Sequence, residues 1–205
     1  MPTVRADALR NRARILAAAT DVFAEQGPDA ALDDIAKRAS IGNATVYRHF
    51  ADRAALVHEV VRSVMTRTAE EAELAMRSGV EPFAALSNFV HAVADLRITI
   101  LCPLLAADDH DGFEGLKQRV ISAVAALVTA AQATGEIRAD VGFGDVLMAL
   151  AQLTRPGAGQ TWADVEPFAH RGLRIYLDGL RGDSALPGRP ATSPICVPEV
   201  RFARF

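Results

Sequence analysis

Between Leu32 and Phe50 the chain carries two short amphipathic patterns separated by a three-residue connection, and this stretch limits the folds open to it. Leu32, Ile35, Ala36 and Ala39 recur at i, i+3, i+4 and i+7, which predicts a helix over residues 32–39 with Asp33, Asp34, Lys37 and Arg38 outside. Ser40, Ile41 and Gly42 make the connection. Over residues 43–50 a second helix places Val46 and Phe50 on one face, with Ile41 closing over the same core. Thr45, Tyr47, Arg48 and His49 then point outward, a dense set of groups able to donate to phosphate oxygens and base edges. Two short helices joined by three or four residues, one of them Gly, match the helix-turn-helix, whose second helix enters the major groove.

The flanks extend the pattern. Leu9, Leu16, Ala19, Val22 and Phe23 give a preceding helix its apolar stripe, and Gly27-Pro28 ends it. Arg5, Arg10, Arg12 and Arg14 lie on that helix either as a solvated face or as phosphate contacts. Asp52 suits the N-cap of a fourth helix, although Ala55 denies it the reciprocal Glu of a capping box. Leu56, Val57, Val60, Val61, Val64, Met65, Thr68 and Ala72 carry that helix to about Ser78, a rod of roughly 40 Å stopped by Gly79.

The sequence Leu32-Asp33-Asp34-Ile35-Ala36-Lys37-Arg38-Ala39, followed by Gly42-Asn43-Ala44-Thr45-Val46-Tyr47-Arg48-His49-Phe50, resembles the N-terminal DNA-binding domain of the TetR family of transcriptional regulators. The resemblance covers roughly the first 65 residues; beyond them the chain is similar to the family in length and helical character. It implies phosphate contacts at Tyr47, His49 and Arg53, where Arg53 replaces a more frequent Lys. Asn43, Thr45 and Arg48 are the candidates for base edges, Arg48 having the reach to pair with guanine O6 and N7. Two positions depart from the family: Ala31 stands where a Thr or Ser cap is usual, and Ser40 where the turn usually has Gly. The lost cap costs on the order of 1 kcal/mol, and Asp33 and Asp34 in the first turn partly offset it through the helix dipole.

The charge distribution suits such a head. Net charge is −3 overall, but residues 1–67 carry ten Lys/Arg against eight Asp/Glu, whereas the remaining 138 carry twelve against seventeen. A small DNA-contacting head on an acidic body follows, with a contact-limited, salt-sensitive interface. Hydrophobic residues make up 50% of the chain, yet no apolar run approaches the 18 residues of a membrane span, and a polar N-terminus argues against a secretory signal. A cytoplasmic protein with Cys102 and Cys196 as free thiols is expected.

Downstream, Pro82 opens a helix with Phe83, Leu86, Phe89, Val90 and Val93 on its buried face. Residues 98–105 form an apolar run broken by Pro103, suited to helix or strand. Leu116, Val120, Val124, Leu127 and Val128 predict a long helix from Phe113 to Gly135, followed by a loop over 135–144 and two helices over 146–153 and 165–180. From Gly182 onward Pro187, Pro190, Pro194 and Pro198 mark a tail that is flexible or extended along the body, with no assigned function.

No Gly-rich phosphate loop, zinc-spaced Cys/His pair or nucleophile motif is present, so neither a cofactor nor enzymatic chemistry is expected. Asp108-Asp109-His110-Asp111-Gly112 invites a metal, but consecutive loop residues seldom converge on one ion, and a solvated turn is the preferred reading. The family resemblance implies instead that the body binds a small-molecule effector and dimerises. Phe89, Leu101, Cys102, Phe113, Leu116, Met148 and Trp162 are candidate apolar lining, with His91, Arg97 and Gln152 as polar fixtures, although core packing is the default for residues at this spacing. Arg97, between two apolar stretches, wants an anion: an internal carboxylate or a ligand. The last two helices would pack on their symmetry mates as a four-helix bundle through Leu173, Tyr176, Leu177 and Leu180, unless that stripe fills the protomer's own core.

The expectation is an all-α chain: a three-helix helix-turn-helix head over 1–51, a helical effector-binding and dimerisation body over 52–181, and a Pro-rich tail over 182–205. Its function would be that of a homodimeric regulator, a repressor released from double-stranded operator DNA by an effector. Two rivals predict otherwise: a small-molecule enzyme or sequestering protein with a vestigial head, and a helical adaptor with no affinity for DNA.

Overall fold

The structure, a computed structural model, describes residues 4–98, 104, 112–157 and 159–191, which form eight α-helices and no strand. The head consists of α1 (Val4–Gln26), α2 (Leu32–Arg38) and α3 (Asn43–His49). The body consists of α4 (Arg53–Arg77), α5 (Pro82–Asp95), α6 (Glu114–Ala133), α7 (Phe143–Leu153) and α8 (Trp162–Gly179).

Ile15, Val22 and Phe23 of α1, Ile35 and Ala36 of α2, Val46 of α3 and Phe50 are all buried, together with Leu56 and Val57 at the start of α4. The turn between α2 and α3 is a Schellman closure: Ser40 N–H donates to the Lys37 carbonyl at 3.0 Å and Ile41 N–H to the Ala36 carbonyl at 3.0 Å. Ser40 therefore sits in the left-handed region, φ +52°, the conformation that a glycine adopts without cost. Ala31 provides no side-chain cap to α2, whereas Asp52 Oδ1 accepts from Ala55 N–H at 2.8 Å and caps α4.

Two of the head arginines act as struts. Arg14 Nη2 donates to the Ala39 carbonyl at 2.6 Å, holding the turn to α1. Arg12 pairs with Glu59 of α4, lies 4.6 Å over the Phe50 ring and reaches the His49 carbonyl at 3.4 Å. A hydrogen bond from Arg62, reinforced by Arg12, holds the Glu59 carboxyl below the usual carboxylate range. Arg10 pairs with Asp7 at the surface, and the side chain of Arg5 lies outside those described.

In the body α4 packs on α5 and α6, α5 on α6 and α8, and α7 on α8, while α1 touches both α4 and α8. One apolar core runs unbroken from the head into this bundle. Helices α7 and α8 begin three residues earlier than periodicity suggests, at Phe143 and Trp162. The reason is local: Asp145 accepts from Gly142 N–H at 2.7 Å and Asp164 from Thr161 N–H at 2.8 Å, each a carboxylate three residues in reaching back over the cap.

The stripe considered for the dimer interface proves to be core. Leu173, Leu177 and Leu180 are buried in their own protomer and Tyr176 packs partly against the same core. The opposite face of α8 is the exposed apolar one, with Phe168 74% and Ile175 63% accessible at i and i+7 and Gly172 between them, beside Leu153 of α7.

Residues 182–191 lie extended along the α6–α7 loop. Arg138 pairs with Asp140 at 2.5 Å and donates to the Ser184 carbonyl, Leu186 N–H donates to Asp140 at 3.2 Å, and Gly144 N–H donates to the Ala191 carbonyl at 3.0 Å. A Cβ at position 144 would stand 2.5 Å from the Ala191 oxygen, so this docking needs glycine there. Of residues 98–105 only Ile98 and Leu104 are described, both buried. Leu101, Cys102, Cys196 and the Asp108, Asp109, His110 and Asp111 cluster lie outside the described residues. Among the described residues no helix is long and apolar enough to cross a membrane.

Candidate nucleic-acid interface and effector cavity

Helix α3 is a single short element that its buried Val46 and the following Phe50 anchor to the head core. That anchoring fixes what faces outward. Tyr47 is 54% exposed, Arg48 and Asn43 are exposed, and Thr45 and His49 are half-buried on the same helix. Asn43 Nδ2 donates to Asp33 Oδ1 at 2.6 Å, which sets the amide against the start of α2. Arg48 makes no hydrogen bond or ion pair among the described residues that would hold it back from a ligand.

Arg53 sits differently from the rest of the set. It is half-buried, its Nη1 donates to the Ala30 carbonyl at 2.5 Å, and its guanidinium lies 5.6 Å from the Phe23 ring centroid. Nη2 is buried without a partner among the described residues. The side chain thus braces the α1–α2 turn against the start of α4.

At the other end of the head, Arg97 joins three elements. It ends α5 in the left-handed region, φ +59°, and its guanidinium lies 4.2 Å over the Trp162 ring of α8 and 3.5 Å from Asp21 of α1. Nη1 donates to the Asp95 carbonyl at 2.9 Å. The anion that this cation demands is therefore an internal carboxylate from the head. Burial pushes the Asp21 carboxyl above its ordinary range, and the charge of Arg97 opposes that rise.

Asp21, Asp95 and Arg97 border a cavity of about 320 Å³ between α1, α4 and the end of α5. Leu16, Ala17 and Thr20 line its α1 side, and Ser63, Val64 and Arg67 its α4 side. The size reaches the lower end of the range for small-molecule pockets, and its walls belong to both head and body.

The other effector candidates are dispersed. Phe89, Phe113 and Trp162 are buried core residues, Phe113 stacking on His58 with centroids 4.5 Å apart. Leu116 and Met148 are half-buried and Gln152 is exposed. His91 is half-buried with its Nδ1 2.8 Å from His170 Nδ1, and burial pushes its imidazole below the ordinary value. Of the described candidates, Arg97 alone is among the residues that line the 320 Å³ cavity.

Asp21, Thr20 and Ser63 escaped the sequence reading because nothing local distinguishes an α1 carboxylate facing solvent from one facing a cleft. His170 left a clearer signal. His91 and Asp95 stand four apart on one helix, Glu166 and His170 four apart on another, so each pair shares a helix face.

Profiles of known families divide the chain in the same way. One described as "Bacterial regulatory proteins, tetR family" matches residues 15–60, and one described as "Transcriptional regulator SbtR-like, C-terminal domain" matches residues 81–182. Among curated proteins the chain is 43% identical over 68 residues to the "HTH-type transcriptional repressor Rv3405c" of Mycobacterium tuberculosis, covering 33% of this chain and 35% of that protein. That match spans about a third of the relative's length. Solved structures extend the likeness to the body: the TetR transcriptional regulator SCO0520 from Streptomyces coelicolor is 34% identical with a TM-score of 0.60, covering 84% of this chain and 99% of that one. The TetR transcription regulatory protein from Mycobacterium vanbaalenii is 31% identical with a TM-score of 0.61, covering 88% and 100%. Sequence likeness over nearly the whole of both structures, with α2 and α3 at the matched head, means that the chain belongs to the TetR family of transcriptional regulators.

Proposed function

We propose that this regulator is a homodimeric repressor whose two α3 helices read successive major-groove faces of an operator and which a small-molecule effector releases. The carrying observation is the outward set on α3, an exposed Tyr47 and Arg48 on a helix pinned from behind by Val46 and Phe50. Arg48, Asn43 and Thr45 take the base edges, while Tyr47 and His49 hold phosphates and fix the register. Arg53 joins the phosphate contacts by exchanging the Ala30 carbonyl for a phosphate oxygen.

The partner protomer covers the Phe168, Gly172 and Ile175 face of α8 together with Leu153. An apolar stripe of that kind, on the last helix of a bundle, fits a self-complementary two-fold interface. Productive binding needs the two α3 helices one DNA turn apart, about 34 to 36 Å, so a shift of a few ångströms in α4 disengages one head. The effector acts at the head–body cavity, where Arg97 ties α5 and α8 to α1. It moves the equilibrium only through its differential affinity for the two arrangements.

The test is selection of bound duplexes from a random pool, followed by titration of the selected sequence against Arg48→Ala and Tyr47→Phe proteins. Arg48→Ala should cost about 1 to 3 kcal/mol and relax the preference at one base position, and Tyr47→Phe should weaken all duplexes alike. Failure to enrich any sequence, or a uniform loss from Arg48→Ala, would sink this assignment of roles.

A further inference from the structure

On the seam between α5 and α8, Asp95, Glu166 and His170 bring one ligand atom each within 4.8 Å of one another. His170 Nε2 stands 3.3 Å from Asp95 Oδ1, a long hydrogen bond that becomes an ion pair when the imidazole is charged. That spacing equals the edge of a tetrahedron with bonds of about 2.0 Å, the length at which zinc is held by imidazole and carboxylate. The other ring nitrogen, His170 Nδ1, lies 2.8 Å from Nδ1 of His91. With a metal on Nε2, His170 carries its proton on Nδ1 and donates it to a neutral His91, the outer partner that a ligating histidine commonly has. Trp162 meets the His170 ring edge-on, with centroids 6.2 Å apart, and limits its rotation.

The surroundings favour a cation there. Asp95 and Glu166 supply two negative charges. Arg97 lies close enough for its charge to act on both carboxylates and donates to the Asp95 backbone carbonyl. Its guanidinium, however, is in ion-pair contact with Asp21 and stacked on Trp162, while Arg174 pairs with Asp178 at 3.2 Å. The two pairs, His91 with Asp95 and Glu166 with His170, lie at i and i+4 on facing helices, so backbone geometry rather than a mobile loop presents the ligands.

We infer that Asp95, Glu166 and His170 form a binding site for a divalent first-row transition metal ion, with His91 as the residue that positions His170. One imidazole and two carboxylates suit zinc and its neighbours rather than calcium or magnesium, which take oxygen ligands alone. Three protein ligands leave a fourth position open to water or to a donor group of another molecule. An ion there fixes α5 against α8 two residues from Arg97, the side chain that grips α1.

The experiment is calorimetric titration of Zn²⁺ into metal-free full-length protein without DNA, so that its outcome does not depend on operator recognition. One Zn²⁺ per chain is expected, with affinity lost in His170→Ala and in Glu166→Gln, whose exposed position leaves folding intact. His91→Phe should weaken binding roughly 10- to 100-fold, and His91→Asn, which restores an acceptor, should recover part of the loss. Cys102→Ser with Cys196→Ser should leave binding unchanged. Absence of saturable binding, full affinity in both His170→Ala and Glu166→Gln, or loss of binding with the cysteines would overturn the site.

Discussion

Ser40 and Arg97 are the two non-glycine residues with positive φ among those described, and they sit at the turn of the helix-turn-helix and at the head–body junction. A side chain in the left-handed region costs on the order of 1 kcal/mol. Ser40→Gly should therefore raise stability by up to about 1 kcal/mol, a rise of roughly 2 to 4 °C in melting temperature for a chain of this size. No rise would mean that the hydroxyl or the stiffer unfolded chain offsets the strain. Arg97→Gly relieves the same kind of strain but removes the Asp21 pair and the Trp162 contact, and it should destabilise by about 1 to 2 kcal/mol on balance. The strain at Arg97 is retained for those contacts. From the sequence, the demand for an anion at Arg97 was legible; its partner was not, because Asp21 lies 76 positions away on another helix and nothing local ties it to the end of α5.

Among the elements, α2 and α3 were the most legible, since every cue that defines them lies within the 19 residues from Leu32 to Phe50. The faces of α8 were not. It carries two apolar stripes, Leu173, Tyr176, Leu177 and Leu180 on one side and Phe168 and Ile175 on the other, and periodicity alone does not say which one the bundle consumes. Hydrophobic spacing places the starts of α7 and α8 three residues late because it ignores a carboxylate that reaches back over a cap. The tail was open between two descriptions, and its docking along residues 138–145 rests on backbone approach that no composition reveals. Gly144→Ala should undock residues 182–191, seen as faster amide exchange there with α7 still protected. Acid should do the same. The Arg138 pair and the Leu186 N–H lower the Asp140 carboxyl from 3.8 to about 2. The larger share, from Arg138, stays within the α6–α7 loop; the share from the Leu186 N–H belongs to docking, is present above pH 3.8 and is lost as pH falls toward 2. In Asp140→Asn the tail should exchange fast at neutral pH and show no further change over that window.

For the whole molecule, head and body share one apolar core, and in the proposed switch it is this packing that carries a shift of α4 to α3. On the proposed interface, the exposed stripe on α8 sets the distance between two such heads. Phe168→Glu with Ile175→Glu should shift the protein to a monomer in sedimentation while leaving its helicity unchanged, and should weaken operator binding by well over tenfold because two-headed attachment is lost. Retention of the dimer would move the interface to another face.

Specific recognition of DNA by α3 is tested most directly by titrating two fluorescent duplexes of equal length, one from upstream of this protein's own gene and one unrelated, at two salt concentrations. Binding through phosphates alone falls steeply with salt for both duplexes, whereas base contacts leave a difference between them. A preference for the upstream duplex that survives the higher salt is the predicted result. Equal affinities that collapse together, for that duplex and for any selected from a random pool, would contradict it.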